Sequence, residues 1–106
     1  MTVIKIPLTS DIAQRFVTQL GDTKYQFDIR FNDRSRVWSM SITDDATSTL
    51  LVSGIAILLG QNLLAPFNLD MGALMAYDES NSGIDAGAND LGSRVNVYWF
   101  SRDMLV

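Results

Sequence analysis

Residues 24–43 read KYQFDIRFNDRSRVWSMSIT. Tyr25, Phe27, Ile29 and Phe31 alternate with Gln26, Asp28 and Arg30. After Asn32-Asp33-Arg34-Ser35-Arg36, the residues Trp38, Met40 and Ile42 alternate with Ser39, Ser41 and Thr43. Successive side chains on a strand point to opposite faces, so strict alternation requires a strand with one buried face. A helix would scatter the same aromatics around its circumference. The stretch therefore predicts an antiparallel hairpin whose apolar side is a core wall and whose tip faces water.

The rest of the chain supplies elements to cover that wall. Residues 2–8 (TVIKIPL) predict a short strand that Pro7 ends or confines to a sheet edge, because proline has no N–H for a ladder. Residues 14–20 predict a second strand with Phe16, Thr18 and Leu20 on one face. The competing reading is a helix over residues 11–20 capped by Ser10, with Ile12, Phe16 and Leu20 on one stripe. Gly21-Asp22-Thr23 makes a tight connection into the hairpin, and Asp44-Asp45-Ala46-Thr47 makes a turn out of it. A strand follows at 49–54, where an isolated glycine, Gly54, marks a bend or bulge. Residues 55–59 lack alternation and predict a strand covered on both faces. Further strands are expected at 72–77 and 94–100, with a polar, glycine-rich loop over 78–93 between them. Many short strands punctuated by turns give one all-β domain over residues 1–106, a small antiparallel barrel or compact sandwich of about six to eight strands. Residues 101–106 form its C-terminal tail.

Composition removes whole classes of chemistry. The 106 residues contain no cysteine and no histidine. Thiolate and imidazole nucleophiles, Ser-His-Asp triads and ordinary zinc sites are therefore absent. Asp11, Asp22, Asp33, Asp44, Asp45, Asp78, Glu79 and Asp90 fall in predicted turns, where solvated carboxylates keep ordinary pKa values. Asp28 lies mid-strand on the polar face beside Arg30. The glycines at 54, 60 and 72 are too widely spaced for a phosphate loop. No enzyme and no cofactor are expected. A net charge of −4 argues against nucleic acid or an anionic membrane as the main partner. The N-terminal apolar run is too short for a signal peptide, and residues 55–59 fall far below a membrane span. The expectation is a chain made and used in the cytoplasm, or in something assembled there.

Several stretches could engage partners. Arg30, Arg34 and Arg36 cluster at the hairpin tip, where arginine suits a docking contact but polarity is also what any tip needs. In the 78–93 loop, Asp78, Ser80, Ser82 and Gly83 match calcium-loop positions, but Asn89 replaces the closing glutamate. A mobile acidic loop carrying Asp78, Asp85 and Asp90 is the expectation there. Trp38 is expected in the core rather than on a ligand-stacking platform. Apolar residues exceed what one inner face requires: residues 55–59, Leu63, Leu64, Phe67, Tyr98, Trp99, Phe100 and the tail Met104, Leu105 and Val106 are the surplus. The alternatives are a well-filled core and protein–protein contact.

Laid end to end, Ile6-Pro7-Leu8, the aromatic hairpin with Trp38, Gly54 through Gly60 to Leu63-Leu64 and Phe67, and Leu91-Gly92-Ser93-Arg94-Val95 leading to Tyr98 form an ordered pattern. The pattern resembles the small baseplate plug proteins of contractile-tailed bacteriophages, and the likeness stops short of residues 101–106. The resemblance implies a structural virion protein of the tail baseplate, assembled in the host cytoplasm, near hub, spike and tail tube. It implies neither activity nor catalytic residues. Partner contacts are then expected at Arg30, Arg34, Arg36, Asp78, Asp85, Asp90, Trp99, Phe100, Met104 and Leu105, with copies in a symmetric oligomer. The alternative is a small β-barrel binding module with Tyr25, Phe31, Trp38, Tyr98 and Trp99 exposed.

Overall fold

The computed structural model describes residues 3–21, 23–64, 72–87 and 90–101. Its strands are β1 (Val3–Lys5), β2 (Ala13–Leu20), β3 (Thr23–Asn32), β4 (Val37–Asp44), β5 (Thr49–Ala56), β6 (Ala73–Asp78) and β7 (Val95–Phe100). They form two antiparallel sheets, one ordered β2-β3-β4-β5 and the other β1-β7-β6. The sheets do not close into a barrel, so the compact sandwich is the architecture found. No helix forms over residues 11–20: β2 pairs with β3 without interruption from Ala13↔Arg30 to Leu20↔Thr23.

The hairpin is β3–β4, and its alternation is realised as burial. Tyr25, Phe27, Ile29, Trp38, Met40 and Ile42 are buried, and Phe31 is half-buried against them. Facing them from the smaller sheet stand Leu74, Ala76, Val95, Val97 and Trp99, with Ile6 from the segment after β1. Two apolar faces meeting in this way remove both from water, the main driving force for such a domain. Phe16 of β2 stacks on Phe27, with ring centroids 5.5 Å apart and planes 4° from parallel.

Local chemistry sets the turns and the bulge. Asn32 Oδ1 accepts from the N–H groups of Arg34 and Ser35, and the Arg36 N–H donates to the Asn32 carbonyl. These bonds hold the four-residue tip in which Arg36 adopts φ 59°. At Gly54 the register jumps from Met40↔Ile55 to Ile42↔Val52, so β5 carries one extra residue there. Gly54 has φ +71° and its N–H is held by Ser41 Oγ at 3.1 Å, the bulge that an isolated glycine marks.

Residues 55–59 do not make a strand covered on both faces. Strand β5 ends at Ala56, and only Ile55 and Ile57 of the stretch are fully buried. Leu63 and Leu64 are also in the core. Much of the apparent apolar surplus is therefore core filling. Among the described residues, the exposed large apolar side chains are instead Val3, Ile12, Val17, Leu50, Tyr77 and Ile84. Phe67 lies outside the described residues.

Candidate protein interaction surface

The loop between β6 and β7 is built around one guanidinium. Arg94, just before β7, donates to Ser82 Oγ (3.0 Å), the Ile84 carbonyl (2.8 Å) and the Asp85 carbonyl (3.1 Å). It also pairs with Asp78 Oδ2 and Asp90 Oδ2, each at 3.1 Å. An arginine offers five N–H donors in a planar fork, which lets one side chain collect so many acceptors. The loop is pinned to the sandwich from two further sides. Trp38 Nε1 donates to the Gly87 carbonyl at 2.8 Å, and Asp85 Oδ1 accepts the Leu59 N–H at 3.0 Å. Ala86, between these anchors, is buried in the core. The expectation of a mobile loop awaiting a partner is thus corrected: its described residues are tied down within the chain.

Asp78 is the second hub of this network. Its side chain is only 4% exposed. Its oxygens accept from the Ser80 N–H and hydroxyl, the Ser82 hydroxyl and the Gly83 N–H. The residues that match calcium-loop positions therefore bond to one another, with Arg94 supplying the positive charge. Asn89, the twelfth position, lies outside the described residues. Hydrogen bonds from Ser80 and then Ser82 hold the Asp78 carboxyl well below the usual carboxylate range. The Asp90 carboxyl is lowered by Arg94 first and by the Gly87 N–H second. Asp28 is lowered too, chiefly by its hydrogen bond from Arg15, with Arg30 adding to it. Asp28, Asp78 and Asp90 are held below the ordinary value because each accepts bonds that favour its ionised form.

The arginine tip and this loop lie at the same end of the molecule. The Arg36 guanidinium sits 5.1 Å above the Phe31 ring, whose centroid is 5.2 Å from that of Trp38, and Trp38 reaches Gly87. Arg36 also pairs with Asp33 at 2.9 Å, and Arg30 pairs with Asp28 at 3.2 Å. Arg34 is exposed, and among the described residues its guanidinium meets no acid. In the loop, Asp85 is exposed and Asp90 is half-buried. Trp99 and Phe100 belong to the other end, where Trp99 lies 3.5 Å from the Cβ position of Gly21. Trp99 is buried, and Phe100 packs edge-on against Tyr77. Met104 and Leu105 lie outside the described residues.

A family model described as cyanophage baseplate Pam3 plug gp18 matches residues 3–102. The chain belongs to that baseplate plug family. No curated protein matches it. Membership places this plug-family chain in the virion tail, in association with other tail proteins, and makes it a structural protein. The family match spans both sheets and ends just after β7. Sequence reasoning missed Arg94 as the organiser of the loop. It also missed Tyr77, whose ring meets that of Tyr98 edge-on at 5.7 Å on the outer face, where Tyr98 donates a 2.9 Å hydrogen bond to Glu79. Alternation around Tyr77 carried some signal for the second; the first had none, since its partners are spread over residues 78–90.

Proposed function

We propose that this plug-family chain acts by shape and packing in the baseplate, docking through the end that carries the arginine tip and the Arg94-centred loop. The hub, spike and tail tube are the partners that this reading expects, with copies arranged symmetrically about the tail axis. Family membership carries the baseplate role. The choice of end rests on Arg34, an exposed cation without an acid partner among the described residues, on a scaffold held by Trp38–Gly87 and Arg94. A rigid scaffold lowers the ordering cost of binding, and unpaired arginine suits an acidic partner patch. Catalysis has no part in this reading.

The binding-module alternative loses its platform. Of its five aromatics, Tyr25, Trp38 and Trp99 are buried, Phe31 is half-buried beneath Arg36, and Tyr98 is half-buried on the outer face of the smaller sheet, so the five do not stand together in solvent.

The test is sedimentation of the purified chain with purified hub, spike and tube proteins. Binding to at least one, weakened tenfold or more by Arg34→Glu with the fold intact, is the expected result. Binding to none of them would overturn the proposal. Binding that Arg34→Glu leaves unchanged would move the docking surface elsewhere.

A further inference from the structure

A sheet edge presents unpaired backbone N–H and C=O groups, and proteins usually blunt such edges by shortness, proline, bulges or a covering segment. Three of the four edges here are treated in those ways. Strand β1 has three residues and is followed by Pro7. Strand β5 is broken by two register shifts against β4. The outer side of β6 is covered: Leu63 N–H donates to the Leu74 carbonyl, Gly60 N–H to the Ala76 carbonyl, and Leu59 bridges Ala76. Among the described residues, strand β2 has none of these devices. It runs eight residues in unbroken register, and among the described residues its only strand neighbour is β3.

The phase of the ladder shows which groups β2 leaves free. Phe31 N–H donates to the Ile12 carbonyl, so Ile12, Gln14, Phe16, Thr18 and Leu20 direct their backbone groups toward β3. The backbone groups of Ala13, Arg15, Val17 and Gln19 therefore point outward from the edge. Val17 is 49% exposed, and Phe16 at the strand centre is only half-buried. The strand bears no acid, although the chain carries a net charge of −4, and its one charge, Arg15, is paired with Asp28 at 2.9 Å.

We propose that a second copy of the chain pairs along β2, antiparallel, across a twofold axis at Phe16. The strand is self-complementary in this register. Phe16 meets Phe16 of the second copy in the close, non-hydrogen-bonded pairing, which covers the open side of each ring. Arg15 falls opposite Val17, Ala13 opposite Gln19 and Ile12 opposite Leu20, so no like charges oppose one another. The outward groups of Ala13, Arg15, Val17 and Gln19 complete the ladder, joining two four-stranded sheets into one continuous sheet.

Sedimentation velocity across a concentration series tests this, together with nuclear Overhauser contacts between differently labelled copies. The expected result is a dimer with contacts between the two Phe16 rings. Val17→Lys should raise the dimer dissociation constant at least tenfold, and Leu50→Lys on β5 should leave it unchanged. Val17→Pro should act like Val17→Lys, since it deletes an outward N–H and no bond to β3; circular dichroism confirms that each variant keeps its strands. A monomer at millimolar concentration overturns the proposal, as does a dimer weakened by Leu50→Lys and indifferent to Val17→Lys.

Discussion

Trp38 Nε1 donates to the Gly87 carbonyl at 2.8 Å, joining the core hairpin to the loop before β7 across 49 positions of sequence. The indole thus has two roles, since its ring is also 1% exposed in the core. Trp38→Phe keeps an aromatic there but removes the donor and leaves a small void. The expected cost is roughly 2–4 kcal/mol in urea unfolding, from the lost bond and the cavity together. Faster amide exchange at residues 85–87 should accompany it.

The loop network predicts an acid limb of definite sign. Asp78 and Asp90 have folded-state pKa values below the ordinary one. Their contribution is complete above the unfolded carboxylate value of about 3.9 and is lost as pH falls through the lower folded values. Urea midpoints should therefore hold level from neutrality toward that value and fall below it. Arg94→Gln removes the main cause of the Asp90 shift, so the acid limb should become shallower and start from a lower plateau. An unchanged acid limb in this variant would separate Arg94 from the network's pH response.

Two glycines make a paired prediction. A Cβ on Gly92, at φ +82°, would come within 2.5 Å of the Leu8 carbonyl oxygen, a backbone atom that cannot move aside cheaply. At Gly60, φ is +76° but the Cβ would meet nothing within 4 Å. Gly60→Ala should cost about 1–2 kcal/mol for the left-handed backbone alone. Gly92→Ala should cost clearly more, because overpacking adds a further 1–3 kcal/mol or so. Thermal melts of the two variants decide it, and equal losses would contradict the close approach of residues 8 and 92.

Both tryptophans, Trp38 and Trp99, are buried. Emission from the native protein should be blue-shifted and poorly quenched by acrylamide, moving to the red on unfolding. Red-shifted native emission would restore the exposed-platform reading.

The hairpin was legible because alternation is local and strict: every second residue from Tyr25 to Phe31 and from Trp38 to Ile42 is apolar. Gly54 was legible for a similar reason, an isolated glycine within a strand pattern. Residues 55–59 misled because a continuous apolar run says that burial occurs but not on what element. Here Ile57 is buried after the strand has ended, its N–H donating to the Trp38 carbonyl. The loop misled more deeply. Its acids and glycines have the composition of a solvated segment, and what orders them is Arg94, whose bonds to Ser82, Ile84 and Asp85 arise only once β6 and β7 pair. Of the proposed contact residues, the tip arginines are on the surface as their sequence suggests. Asp78 and Trp99 are largely inside, since a loop carboxylate with four intrachain donors and a strand residue on the core side are both already occupied.

The central claim is that this chain is a structural part of a phage tail baseplate. Cryo-electron microscopy of purified tails from the phage that encodes it, with mass spectrometry of the same particles, tests that claim most directly. The expected result is stoichiometric chain in the tails, with density for the two-sheet sandwich in the baseplate and the Arg34 tip against a neighbouring tail protein. Intact, infectious tails that lack the chain would contradict it.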